Sequence, residues 1–158
     1  MDKPSASSAP RRLCGQDFTD APHRQLTEQI IGAGIAVHRE LGPGFLEKAY
    51  EEALCIELER RSVPFARQVA INVRYLGVTV DRHRIDLIVE RRVVVEVKAV
   101  REIDDSHLAT VLAYLKATSL TAGLVLNFSE ARLRIRRVVR SIALTADVAE
   151  EPMSPKVF

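Results

Sequence analysis

The sequence predicts an α/β fold in which a helical hairpin precedes a mixed central sheet flanked by helices, in the order α-α-β-β-β-α-β-β. Three observations carry that expectation. A chain of 158 residues with 47% hydrophobic and 28% charged side chains suits one globular domain and excludes a natively unfolded chain. From Leu26 to Pro64 the apolar residues recur at helical spacing. Beyond Pro64 they alternate with polar residues or run together as valines, as strands require.

Residues 1–22 are rich in Ser, Pro and Ala and carry no apolar period, so they read as a flexible N-terminal tail. Residues 146–158, with Glu150, Glu151, Pro152 and Pro155, read as a flexible C-terminal tail. The domain is thus expected over residues 23–145. Its first helix places Leu26, Ile30, Ile31, Gly34, Val37 and Leu41 on one face and stops at Gly42-Pro43-Gly44. A second helix runs from about Phe45 to Arg61, with Leu46, Ala49, Tyr50, Ala53, Leu54 and Leu58 inward, until Pro64 breaks it. Two alternating strands follow, Val69, Ile71, Val73 and then Ile85, Leu87, Val89, joined near Gly77. The run Val93, Val94, Val95, Val97 predicts a central strand. A third helix is expected over 105–119, then a buried strand over 123–128 and a last strand over 133–139.

With 23 basic and 21 acidic side chains, a net charge of +2 excludes binding through bulk attraction, so a polyanion must meet a local basic patch. Two cysteines, Cys14 and Cys55, are too few for a disulfide scaffold and fit a reducing, cytoplasmic setting. No apolar run is long enough to span a membrane, so no membrane partner is expected.

The informative charges are those embedded in apolar strands: Asp86, Glu96 and Lys98. In Val93-Val94-Val95-Glu96-Val97-Lys98 the alternation puts Glu96 and Lys98 on one face. A short hairpin centred on Arg91 sets Asp86 opposite Glu96. Two facing carboxylates suit a hard divalent cation such as Mg²⁺ or Mn²⁺, and a lysine beside it could orient a water. The competing reading is a solvated strand face whose charges merely pair. Glu47 shares a helical face with Tyr50 and Leu54, and it can equally serve the first turn of its helix through the dipole.

At Gly44-Phe45-Leu46-Glu47-Lys48-Ala49-Tyr50 the sequence resembles the GxxExxY protein family, a group within the PD-(D/E)xK nuclease-like superfamily. The likeness extends through Arg84-Ile85-Asp86-Leu87, Val95-Glu96-Val97-Lys98-Ala99-Val100, Tyr114-Leu115-Lys116-Ala117-Thr118 and Gly123-Leu124-Val125-Leu126-Asn127-Phe128. The resemblance implies an αβββαβ core, Asp86, Glu96 and Glu47 as metal ligands, and Lys98 as the water-orienting base. Catalysis would then fall to Lys98, Glu96 and Asp86, with Tyr50, Tyr114 and His107 in support. One departure is Thr110, which stands where related nucleases often carry a Gln four residues before the Tyr. Its short hydroxyl cannot offer both an amide donor and an acceptor.

Arg132, Arg134 and Arg136 alternate with apolar residues, so a strand would project them together as a phosphate-gripping strip or as a charged, protected edge. His38 and His107 could each move protons or bind metal, although single helical histidines are more often structural. Eight Tyr and Phe and no Trp give little support to stacking on unpaired bases. The sequence therefore predicts a metal-dependent nuclease acting on DNA or RNA. The alternative is a catalytically silent module of the same fold that binds nucleic acid or a protein, or self-assembles as a homo-oligomer.

Overall fold

The computed structural model describes residues 23–141, so the expected tails over 1–22 and 146–158 lie outside the described residues. Helix α1 spans Arg24–Leu41 and α2 spans Glu47–Arg60. They are followed by β1 (Phe65–Tyr75), β2 (Val78–Val89), β3 (Val93–Lys98), α3 (Asp105–Thr118), β4 (Ala122–Asn127) and β5 (Arg134–Val139). The five strands form one mixed sheet in sequence order: β3 and β4 are parallel and every other neighbouring pair is antiparallel. A parallel pair needs a crossover, and α3 supplies it.

Each face of the sheet buries its own cluster. Leu26, Ile30 and Val37 of α1 and Tyr50, Leu54 and Leu58 of α2 cover Val93, Val95, Val97, Leu124 and Leu126. On the opposite face Val111, Tyr114 and Leu115 of α3 cover Val94 and Val125. Strands buried on both sides read as continuous apolar runs, which is why β3 and β4 are Val- and Leu-rich. Contact on the α3 side is close enough that a Cβ on Gly123 would lie 2.5 Å from Val111 Cγ1.

The structure lengthens the first two strands and corrects the last. Leu76 and Gly77 both take positive φ, 49° and 81°, so the β1–β2 turn is a tight hairpin and pairing extends to Tyr75↔Val78. These outer residues are exposed, and over Asp81-Arg82-His83-Arg84 no apolar alternation marks the strand in the sequence. Strand β5 starts at Arg134, not Leu133, and Arg132 lies in the preceding bend. The three arginines therefore do not share a strand. His38 helps fix that bend, its Nε2 lying 2.8 Å from the Glu130 carbonyl oxygen.

The first two strands also change face together. Phe65, Leu87 and Val89 pack on the α1/α2 side, whereas Val69, Ile71 and Ile85 pack on the α3 side. Residues of one parity thus switch faces at Gln68 and Asp86, the two positions the ladder skips between Arg67↔Leu87 and Val69↔Ile85. Gln68 takes φ 50°, the left-handed turn that allows the switch.

Candidate active site

The Gly44-to-Tyr50 segment sets the entry to α2. Gly42 ends α1 at φ 67°, its N–H donating to the His38 carbonyl at 2.9 Å, and Gly44 takes φ 116°, which disfavours any side chain. The buried Tyr50 hydroxyl donates to the Gly42 carbonyl at 2.7 Å and accepts from the Phe45 N–H at 3.1 Å. Its ring stacks on Phe128 at 4.5 Å. Tyr50 thus supports the site indirectly, by pinning the turn that aims Glu47. Glu47 is the first residue of α2, and Leu46 is the cap position, with no side-chain cap bond. In place of capping, the Glu47 Oε1 accepts from the Ala99 N–H at 3.3 Å, just beyond β3.

At the end of β3 the chain brings three of the expected residues together. Lys98 Nζ donates to Glu96 Oε1 at 2.7 Å and lies 4.0 Å from Glu47 Oε2. The hairpin pairs Leu87↔Val95, as a centre at Arg91 requires, but the ladder stops there. Asp86 is not laddered to Glu96; its Oδ2 accepts from the Val97 N–H at 2.8 Å. The carboxylate thereby occupies a backbone donor at the point where the strands part.

Electrostatics follow from burial. Glu96 is 6% exposed, and burial, then the negative charge of Asp86, push its pKa up to about 7. Burial also raises the Asp86 pKa, against the pull of the Val97 N–H and Lys98. Burial alone would lower Lys98, but the Glu96 hydrogen bond and the surrounding carboxylates outweigh it and hold the ammonium above its ordinary value. Lys98 is therefore a cation here. Glu96 Oε2 is buried and has no hydrogen-bond partner.

A cleft of about 660 Å³ opens between the start of α2 and the sheet, lined by Glu47, Glu51, Arg67, Gln68, Asp86 and Ala99 among others. Three of these escaped the sequence reading. Gln68 Nε2 donates to Glu51 Oε1 at 2.9 Å and reaches Asp86 Oδ1 at 3.5 Å. Arg67 Nε donates to Glu51 Oε1 at 2.6 Å, and its other nitrogens bind Glu52. Glu51 had a legible signal, one helical turn after Glu47. Gln68 had none, because its role depends on the change of face.

The remaining expected residues are dispersed. Tyr114 is buried on α3 and senses the charges of Glu96, Lys98 and Asp86, although burial is the main reason its pKa rises. The Thr110 hydroxyl donates to the Ser106 carbonyl of its own helix at 2.9 Å. His107 closes the α3 capping box, its Nδ1 accepting from the Asp104 N–H at 3.1 Å, so its ring serves the helix start and not the carboxylates. His38 stacks on Phe128. Arg134 pairs with Glu130 at 2.8 Å, and with Arg136 and Arg101 it borders a separate cleft.

Among the described residues no group of three or more His, Cys, Asp or Glu is gathered as a ready cage for a metal ion. The donors nonetheless fit a hard cation in two respects. Glu96 keeps a buried, unpaired oxygen, and Asp86 and Glu96 each carry a raised pKa that a divalent charge would relieve. Among the described residues no helix is long and apolar enough to cross a membrane.

A family model described as the PD-(D/E)XK nuclease superfamily matches residues 24–138. No curated protein matches the chain. The solved crystal structure of SSO0001 is similar over 75% of this chain and 67% of that one, at 13% identity and a TM-score of 0.42.

Proposed function

The chain belongs to the PD-(D/E)XK nuclease superfamily, and from that premise we propose that it hydrolyses phosphodiester bonds in nucleic acid with a divalent metal at Asp86 and Glu96. The observation that carries this is the group formed by the buried Glu96 and the half-buried Asp86 and Lys98, two carboxylates with raised pKa values beside one ammonium. Within the superfamily we place it with the GxxExxY proteins, on the turn built by Gly44, Glu47 and Tyr50. Asp86 and Glu96 would hold Mg²⁺ or Mn²⁺, with Glu47 reaching toward the same cation. Such a cation, when bound, lowers the pKa of a coordinated water and balances charge on the phosphate.

The other roles belong to the chain itself. Lys98, beside Glu96 and within reach of Glu47, orients the attacking water and meets the charge that grows on a phosphate oxygen. Gln68, itself held by Glu51, reaches Asp86 from the cleft side, and Tyr50 fixes the helix start that carries Glu47.

A second reading, a catalytically silent module, draws on Thr110, whose hydroxyl is turned back on its own helix. The deciding experiment incubates the full chain with labelled single- and double-stranded DNA and RNA, with Mg²⁺ or Mn²⁺ and with a chelator. Cleavage is expected to need the metal and to vanish in Lys98→Ala while circular dichroism stays unchanged. Equal cleavage by wild type and Lys98→Ala would defeat the mechanism, and no cleavage of any substrate would favour the silent module.

A further inference from the structure

Beyond Gln68 and Asp86, strands β1 and β2 pair only with each other, because β3 follows β2 no further than Leu87. Residues 70–75 and 78–84 therefore form a two-stranded ribbon about 20 Å long, at roughly 3.3 Å per residue. Residues 72–84 are exposed without interruption. The register assigns its two faces. Ile71↔His83 and Val73↔Asp81 lie on the face toward α3, where the His83 ring stands edge-on 6.0 Å from Tyr114. Ala70↔Arg84, Asn72↔Arg82 and Arg74↔Thr79 lie on the other.

That second face carries three arginines and no carboxylate. The acid of the ribbon, Asp81, sits on the α3-side face and is bound to His83 at 2.9 Å. Each arginine stands opposite a small or neutral residue, so no two like charges are directly paired across the strands. Among the described residues Arg74, Arg82 and Arg84 have no ion-pair partner. Three unpaired guanidinium groups on an exposed face seek an anion, and their spacing along a ribbon suits a repeating one.

We propose that this ribbon seats in the major groove of double-stranded DNA, with Arg74, Arg82, Arg84, Asn72 and Thr79 turned to the groove. Charge complementarity selects a polyanion, and shape narrows it. The major groove of B-form DNA admits a two-stranded ribbon, whereas that of an A-form RNA duplex is too deep and narrow for side chains to read. The composition of the face matches base-edge recognition: arginine with guanine, asparagine with adenine, threonine and alanine with the thymine methyl. The ribbon joins the sheet at Asp86, itself one of the carboxylates of the site. This deepens the nuclease reading by naming its substrate class and rests on that reading for its purpose, although the grip itself needs no cleavage.

The test measures binding of the full chain, without divalent metal, to labelled duplex DNA, duplex RNA and single-stranded DNA of one sequence across a salt series. Wild type is expected to prefer duplex DNA about tenfold or more. The Arg74→Ala/Arg82→Ala/Arg84→Ala variant should lose about a hundredfold or more in affinity and two to three from the log–log salt slope. Each single variant should lose about one from that slope, which a folding defect would not reproduce stepwise. Duplex RNA bound as tightly as DNA overturns the assignment, as does a triple variant that binds like wild type. A triple variant that still binds DNA, together with a Leu76→Asp variant that turns a dimer into a monomer, would give the ribbon to self-association instead. Ribbon-dependent binding with no cleavage under any metal would defeat the hydrolase reading alone; cleavage with the ribbon dispensable would defeat this one alone.

Discussion

Replacing Glu96 by glutamine should stabilise the fold at alkaline pH and leave it nearly unchanged at acid pH. The carboxyl is buried, and its pKa rises from 4.5 to about 7, through burial first and the charge of Asp86 second. The folded state thus holds this proton more tightly than the unfolded one. Its contribution is fully present below pH 4.5, declines as the pH rises, and is lost above about 7. At about 1.4 kcal/mol per pH unit across that window, the loss amounts to about 3 kcal/mol. The hydrogen bond from Lys98 is already included, since it is one of the influences that set the Glu96 value. Glutamine stands in for the protonated acid, and its carbonyl oxygen can still accept from Lys98 Nζ. Urea unfolding from pH 4.5 to 8 in chelator should therefore show wild type losing about 3 kcal/mol. The variant should show only the shallower slope left by Asp86, whose raised pKa has the same sign. Adding Mg²⁺ or Mn²⁺ above pH 7 should restore wild type and do little for Glu96→Gln. Parallel pH curves for the two proteins would refute the reasoning.

Two further substitutions test the frame around the site. Tyr50→Phe removes the hydroxyl that links Gly42 and Phe45, leaving both backbone groups without that partner, and should cost about 1–3 kcal/mol by urea denaturation. Gly123→Ala drives a methyl into Val111 and should cost about 1–3 kcal/mol, with Val111→Ala in the same chain recovering part of the loss in a double-mutant cycle.

The residues whose burial is uniform were legible in the sequence. The helical spacing before Pro64 located α1 and α2 to within two residues at each end, and the valines of β3 marked a strand covered on both sides. Glu96 and Lys98 stood out because a charged pair in such a strand is anomalous. What stayed hidden depends on contacts between distant segments. The joint change of face at Gln68 and Asp86 obeys no periodicity, since each strand alone looks regular. Glu47 looked equally suited to its own helix, and the choice was made by an amide 52 positions away. The histidine on α3 offered a plausible functional ring until Asp104 claimed it for a cap. Arg132 shares its parity with Arg134 and Arg136, but strand membership is decided by pairing with β4, which begins only at Asn127↔Arg134.

The paired switch at Gln68 and Asp86 also bears on how this chain can vary. Inward of it, strand length is fixed by β3 and two packed clusters; outward, each strand hydrogen-bonds only the other, and Val69, Ile71, Ile85 and His83 hold the near end against α3. Adding or deleting one residue from each strand near the Leu76-Gly77 turn would change the reach of the hairpin while every side chain nearer the sheet kept its partner and its face. A single unmatched residue has to be taken up as a bulge, as Val80 already is between the pairs Val73↔Asp81 and Arg74↔Thr79. Lineages should therefore tolerate length changes here, in matched pairs or as a bulge like that at Val80, while the segments that carry Asp86, Glu96 and Lys98 keep constant length.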